Sequence, residues 1–341
     1  MTTAFSKPRR NTPTNPLLRL DQLANPYGPS IRSLEAIGSA TDLHLPNPAR
    51  QAALRSRIAA MESVPATWIT LANGLDEFFM SILLARRSNG PLVVFPPTDQ
   101  SVQRLAALAG TDVVSVPRSH RFAVEVDPAA TSEFPKTSTI VVQSPNDPTG
   151  TLLAPANVVR LIRLGGLVIV DERHGAYSPR SLRPMAGEFT NLAVVKTFET
   201  WAGLAGLPLA YAIAPAKLSL QLSAAMIRPP AAGAVIAAEA TLDDFAYVDA
   251  TVERIRNEKS HLYRTMRKLN MLRPFPSWAN FLLARIERGD AAFFDAGLRA
   301  RGIAWQSPAA PELPDFVRIS AATPDATIAL KNALIEIAAS L

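Results

Sequence analysis

The strongest constraint on the fold of this 341-residue sequence is a repeated change of hydrophobic period that begins near residue 91. Short β-branched runs at 91–95, 111–116, 138–143, 166–170, 191–196 and 209–214 alternate with amphipathic stretches such as 100–109 and 155–164. The second of these stretches opens on Pro155, a residue suited to the first turn of a helix. Apolar strands separated by helices need crossover connections, so the pattern predicts an α/β layered fold with a largely parallel sheet. Upstream, 47–61 and 75–87 read as helices, and 231–269 reads as one long helical stretch free of proline. Strands follow at 281–286, 302–305 and 316–320, with a helix at 290–301 and a last helix opening at Pro324. The division expected is an amino-terminal arm and part of a small domain at 1–37, a large α/β domain at 38–230, and a linking helix with the rest of the small α+β domain at 231–341. The carboxyl-terminal part is expected to pack against the first forty residues.

Composition removes several function classes. The sequence has no cysteine, which excludes disulfides, thiolate metal sites and cysteine nucleophiles. His44, His120, His174 and His261 show no metal-ligand spacing, so no metal site is expected. A net charge of +6 is mild, and its arginines are spread along the chain instead of clustered, so no nucleic-acid partner is expected. No segment approaches the roughly 18 apolar residues that span a bilayer, and no membrane partner is expected. Lys7, Arg9 and Arg10 lie in 1–16 without a following apolar run, which reads as an arm and not a secretory signal. A cytoplasmic protein follows as the default. No Walker loop, dinucleotide glycine fingerprint or Gly-x-Ser-x-Gly elbow occurs.

Six landmarks carry chemistry, in this order. Asn25-Pro26-Tyr27-Gly28 lies near the start, and Asn73-Gly74-Leu75-Asp76-Glu77 opens a helix. Ser144-Pro145-Asn146-Asp147-Pro148-Thr149-Gly150 and Val170-Asp171-Glu172 each follow an apolar run. Thr197-Phe198 with Gly203-Leu204-Ala205-Gly206 comes next, and Arg318 sits in a late strand. Together they make the chain resemble, from about Asn25 to the carboxyl terminus, the fold-type-I pyridoxal-phosphate-dependent aminotransferases, in particular the histidinol-phosphate aminotransferase-like branch. The resemblance implies a homodimer and a site at the carboxyl ends of the parallel strands, where ligands of open α/β sheets bind. It further implies that Asp171 keeps the cofactor's ring nitrogen protonated. Gly74, Leu75 and Asp76, with Thr197, would receive the phosphate at a helix N-terminus. Tyr27 and Arg318 would meet the substrate, Arg318 gripping its carboxylate with two prongs.

The departures from the family's pattern lie in that same pocket. Thr200 stands where the resemblance places the Schiff-base lysine, and a hydroxyl cannot replace that amine. Glu199 replaces a serine beside the phosphate, setting a carboxylate against a group of about two negative charges. Pro208 replaces a phosphate-clamping arginine, Asp99 the ring-stacking aromatic residue, and Asp147 the asparagine that bonds the ring hydroxyl. His174 takes a tyrosine position, and Leu45 that of a tyrosine reaching the partner subunit. Pyridoxal phosphate is therefore expected to bind non-covalently at most. Lys196, four residues before Thr200, reads as a solvated strand-end charge. The expected function is that of a divergent pseudoenzyme that binds a small amino- or phospho-ligand, with Asp171 and His174 as an available acid–base set. The alternatives are an active transaminase with an altered anchor and a non-catalytic partner of an intact paralogue.

Overall fold

The structure, a computed structural model, describes residues 17–126, 135–308, 310 and 312–340. The arm expected at 1–16 lies outside them. In chain order the strands are β1 (Leu18–Arg19), β2 (Ile69–Ala72), β3 (Leu92–Val94), β4 (Val113–Ser115), β5 (Thr139–Gln143) and β6 (Leu167–Asp171). They continue with β7 (Leu192–Thr197), β8 (Ala210–Ile213), β9 (Leu272–Pro274), β10 (Phe281–Ile286), β11 (Ile303–Ala304) and β12 (Phe316–Ser320). The central sheet has the order β2-β8-β7-β6-β5-β3-β4. All its pairs are parallel except those of β8, which runs antiparallel to both neighbours. This is the α/β architecture that the alternation predicts.

Every residue of β5 and β6 is buried, because helices cover both faces of the sheet. Successive side chains of a strand point to opposite faces and so feed two apolar layers. Ile140, Val142, Val168, Val170 and Val194 belong to one layer, and Val141, Leu167, Ile169, Ala193 and Val195 to the other. A third core joins Leu20 near the start to Leu262, Met266, Phe294, Ile319 and Leu334. It lies against an antiparallel sheet of order β12-β10-β9, while β1 pairs in parallel with β11. The amino-terminal strand thus joins the carboxyl-terminal third of the chain.

The stretch 231–269 differs from its sequence reading. It forms two helices, Ala232–Asp243 and Phe245–Lys268, separated at Asp244 with φ −117° and ψ 37°. Paired aspartates favour such a break, because short acidic side chains compete for nearby backbone groups. The longer helix spans two cores: Val248, Val252 and Ile255 enter the first layer, and Leu262 and Met266 the third core. It is held to the amino-terminal segment by Asn25, whose Nδ2 donates to the Trp201 carbonyl (2.8 Å) and Thr251 Oγ1 (2.9 Å). Strand β2, which sequence reasoning left unassigned, fills the interval between the predicted helices.

Register aligns the functional edge. Gln143 faces Asp171 across β5 and β6, Asp171 faces Val195, and both Ala72 and Thr197 face Ala210. The carboxyl ends of β2, β5, β6 and β7 therefore open on one side of the sheet.

Candidate functional site

Asp171 ends β6 and is 1% exposed. A carboxylate removed from water at such a position needs a cation or several donors. It obtains both from a residue that sequence reasoning did not single out, Arg173. The Arg173 backbone N–H donates to Asp171 Oδ1 (3.0 Å) and its Nε to Oδ2 (2.8 Å), with Nη2 2.6 Å from Oδ2. Its remaining prong, Nη1, reaches Asp99 Oδ2 at 2.7 Å. Asp99 also accepts from the Ser101 amide (3.0 Å) and hydroxyl (2.6 Å). Burial alone would raise the Asp99 carboxyl, but the Arg173 cation and Ser101 outweigh it and hold Asp99 below the ordinary aspartate range. Burial likewise opposes the charge on Arg173, and Asp171 and Asp99 overcome it, keeping the guanidinium more firmly protonated than usual. The available signal was three consecutive charges at a strand end, Asp171-Glu172-Arg173, with the cation two residues beyond the acid.

Arg318 is also engaged from within the chain. Nη1 lies 2.5 Å from Asp147 Oδ2, and Nη2 donates to the Asp21 carbonyl (3.1 Å) and to Gln306 Oε1. Its guanidinium carbon sits 5.7 Å above the Phe281 ring. Asp147 is positioned by its own amide, which donates to Gln143 Oε1 at 2.7 Å. Burial pushes the Asp147 carboxyl upward, and Arg318 works against that rise. The two-pronged arginine expected to meet a carboxylate thus already holds one.

The third group lies at the start of the helix Leu75–Arg86. Gly74 caps it with φ +89°, a conformation open to glycine, and a Cβ there would come 2.7 Å from Pro208 Cβ and 3.3 Å from Glu199 Oε1. The Glu199 carboxylate therefore lies against the first turn, where free N–H groups attract an anion. It accepts from Thr197 Oγ1 at 3.0 Å. Burial raises its pKa, the Thr197 hydrogen bond and Arg173 oppose the rise, and Asp76 adds to it. Thr200 donates from Oγ1 to the Arg173 carbonyl (2.5 Å), and its own carbonyl accepts from the Tyr177 hydroxyl (3.2 Å). A cavity of about 200 Å³ remains, bordered by Gly74, Asp76, Arg173, Glu199, Thr200 and Pro208.

The other expected site residues are placed differently. His174 is 1% exposed, neither ring nitrogen has a partner among the described residues, and the ring meets Phe281 edge-on at 5.3 Å. Burial, reinforced by Arg173, pushes its imidazole down to about 3, so it stays neutral near pH 7. It makes no hydrogen bond to Asp171 and does not border the 200 Å³ cavity. Glu172 turns away from Asp171 and accepts from Ser181 Oγ (2.6 Å) and the Leu182 amide (2.5 Å). Lys196 is not a solvated strand-end charge: Nζ donates to both Glu62 oxygens at 2.9 Å. Tyr27 lies under Arg254, 5.8 Å from the guanidinium carbon, and does not border the 200 Å³ cavity. Leu45 is 54% exposed. No metal-binding cluster and no helix long and apolar enough to cross a membrane occur among the described residues.

Known proteins share this arrangement of elements. The family model "Aminotransferase class I and II" matches residues 19–331. A histidinol-phosphate aminotransferase of Roseiflexus castenholzii is 34% identical over 344 residues, covering 97% of this chain and 92% of that one. The histidinol-phosphate aminotransferase of Clostridium acetobutylicum superposes with a TM-score of 0.86 at 18% identity, over 95% of this chain and 100% of that one. The Sinorhizobium meliloti histidinol-phosphate aminotransferase, solved in complex with pyridoxal-5'-phosphate, gives 0.84 at 22% identity, over 95% and 91%. These two structures establish the fold-type-I aminotransferase architecture. The extent of the family match and the similarity to the Roseiflexus enzyme carry the further conclusion that this chain belongs to the class I and II aminotransferases.

Proposed function

We propose that this chain keeps the aminotransferase fold without lysine-dependent transamination, a pseudoenzyme whose remaining cavity takes a small amine. The observation that carries this reading is the Arg173 guanidinium on the Asp171 carboxylate. By resemblance, that carboxylate serves the cofactor's ring nitrogen. The residues present do not fit pyridoxal phosphate: a second cation already occupies its acid, and a carboxylate already occupies the helix N-terminus. Thr200, at the family's lysine position, offers no amine. The displaced candidates are committed elsewhere, Lys196 to Glu62 and Lys259 to the carbonyls of Ser277 and Ala279. The cofactor would bind non-covalently at most.

The balance of charge favours an amine over a phospho-ligand. Asp76 and Glu199 border the cavity, and its one cation among the described residues, Arg173, is shared by two further carboxylates. Titration calorimetry with ethylamine and with inorganic phosphate separates the two classes. Ethylamine is expected to bind and phosphate to give no heat. Amine affinity should rise with pH as Glu199 ionises, since burial holds its pKa above the ordinary glutamate value. Tighter binding of phosphate than of ethylamine would refute the amine reading.

The same reading pairs two copies of the chain. Ile31 (71% exposed), Leu34 (56%) and Leu43 (49%) present apolar side chains to solvent close to Leu45 in the sequence, which supports burial against a second copy. Light scattering is expected to give twice the 36.7 kDa chain mass, and a monomer at micromolar concentration would contradict the pairing.

A further inference from the structure

A second cavity, of about 810 Å³, shares no lining residue with the one above among the described residues. It falls within the size range of small-molecule sites. One wall comes from Phe275, Pro276 and Trp278 in the loop joining β9 to β10, and the other from the turn carrying Phe122. Both walls are built rigidly. The Trp278 amide donates to the Gly150 carbonyl (2.9 Å) and the Phe275 amide to the Leu283 carbonyl (2.8 Å). Lys259, only 9% exposed, donates Nζ to the carbonyls on either side of Trp278, Ser277 and Ala279, at 2.7 Å each. A buried ammonium is costly, and this one has no carboxylate partner among the described residues. Its bonds fix the backbone around a tryptophan whose side chain is nevertheless left 46% exposed. Opposite, Phe122 has φ +60°, a left-handed conformation that bulky residues adopt only under constraint. Its ring packs edge-on against Phe275, with centroids 5.5 Å apart.

The charge of the lining is one-sided. Arg121 and Arg180 border the cavity, and among the described residues no aspartate or glutamate does. Neither guanidinium forms an ion pair among the described residues, and both are exposed. A rigid aromatic wall with two unshared cations matches a ligand with a planar apolar body and one negative charge.

We infer that this cavity is a second ligand site, taking an aromatic monoanion whose ring lies against Trp278 and Phe275 and whose acid meets Arg121 and Arg180. The inference does not depend on the function proposed for the smaller cavity. Anilinonaphthalene sulfonate tests it, with phenylnaphthylamine as a neutral probe of nearly the same shape. The full-length protein is expected to bind the sulfonate saturably, one per chain, with enhanced fluorescence. Arg121→Gln/Arg180→Gln should weaken the sulfonate by about tenfold or more, as expected on losing charge-assisted hydrogen bonds, and leave the neutral probe unchanged. Trp278→Leu should weaken both probes. These side chains are exposed, so the variants are expected to fold, which a thermal melt checks. The inference is overturned by absent or non-saturable sulfonate binding, or by a double variant that binds it like wild type. Equal affinity for the two probes, or full binding by Trp278→Leu, also overturns it.

Discussion

Replacing Arg173 with alanine is expected to destabilise the protein by about 3–5 kcal/mol at pH 7, the loss found when one partner of a buried ion pair is removed. The size follows from what is left behind. Asp171 is 1% exposed and would lose the Arg173 side-chain contacts at 2.8 and 2.6 Å, while Asp99 would lose its 2.7 Å partner. Two carboxylates would then face each other in a poorly solvated edge of the sheet. The pH response should also reverse. In the wild type, Asp99 is held below its ordinary 3.8, so its contribution to stability is present above that pH and lost as the pH falls through the folded-state value. In the variant, Asp99 loses the cation that offsets its burial, so its carboxyl is raised instead and stability should increase as the pH drops from 7 towards 5. Urea denaturation of both proteins at pH 7 and pH 5 measures this. Equal midpoints at pH 7 would mean that Arg173 is an ordinary surface cation.

The second ion pair predicts an asymmetry. Asp147→Ala should cost about 3–5 kcal/mol, because it strands a guanidinium that cannot lose its proton. Arg318→Ala should cost less, since Asp147, already raised by burial, escapes its unpaired charge by binding a proton. Arg318 and Asp147 side chains are only 9% and 11% exposed, so solvent screening does little to soften the difference. Asp147→Ala also frees the two-pronged arginine. Added acetate should therefore restore part of the lost stability in that variant and have no such effect on the wild type. Equal costs for the two single variants, or equal acetate effects, would show that the pair does not work in this way.

Much of the fold was legible because the information was local. The buried strands β5 and β6, with their apolar centres, and the acid at the end of β6 follow from a few adjacent residues, as does the glycine that opens the helix Leu75–Arg86. The six landmarks likewise carried family membership. What could not be read depended on distant partners. Lys196 looked solvated until Glu62, 134 residues earlier, supplied its carboxylate. His174 looked like an acid–base group beside Asp171, but its environment is set by Phe281 from another sheet. Glu172 follows Asp171 in sequence, yet it turns to Ser181 and Leu182.

The substitutions at Asp99, Asp147 and Glu199 read individually as losses of cofactor contacts. In the structure, together with Arg173, they form a connected replacement. Arg173 bridges Asp171 and Asp99, Asp147 satisfies Arg318, and Glu199 meets the helix N-terminus. A change at Thr200 alone would leave all of these groups in place, so Thr200→Lys by itself is not expected to restore transamination.

The most direct test is to incubate the purified protein with excess pyridoxal phosphate, reduce with sodium borohydride and measure the intact mass. The expected result is the unmodified chain mass, with no transamination of added amino acids. A stoichiometric reduced cofactor adduct on one lysine, accompanied by turnover, would contradict the proposed function.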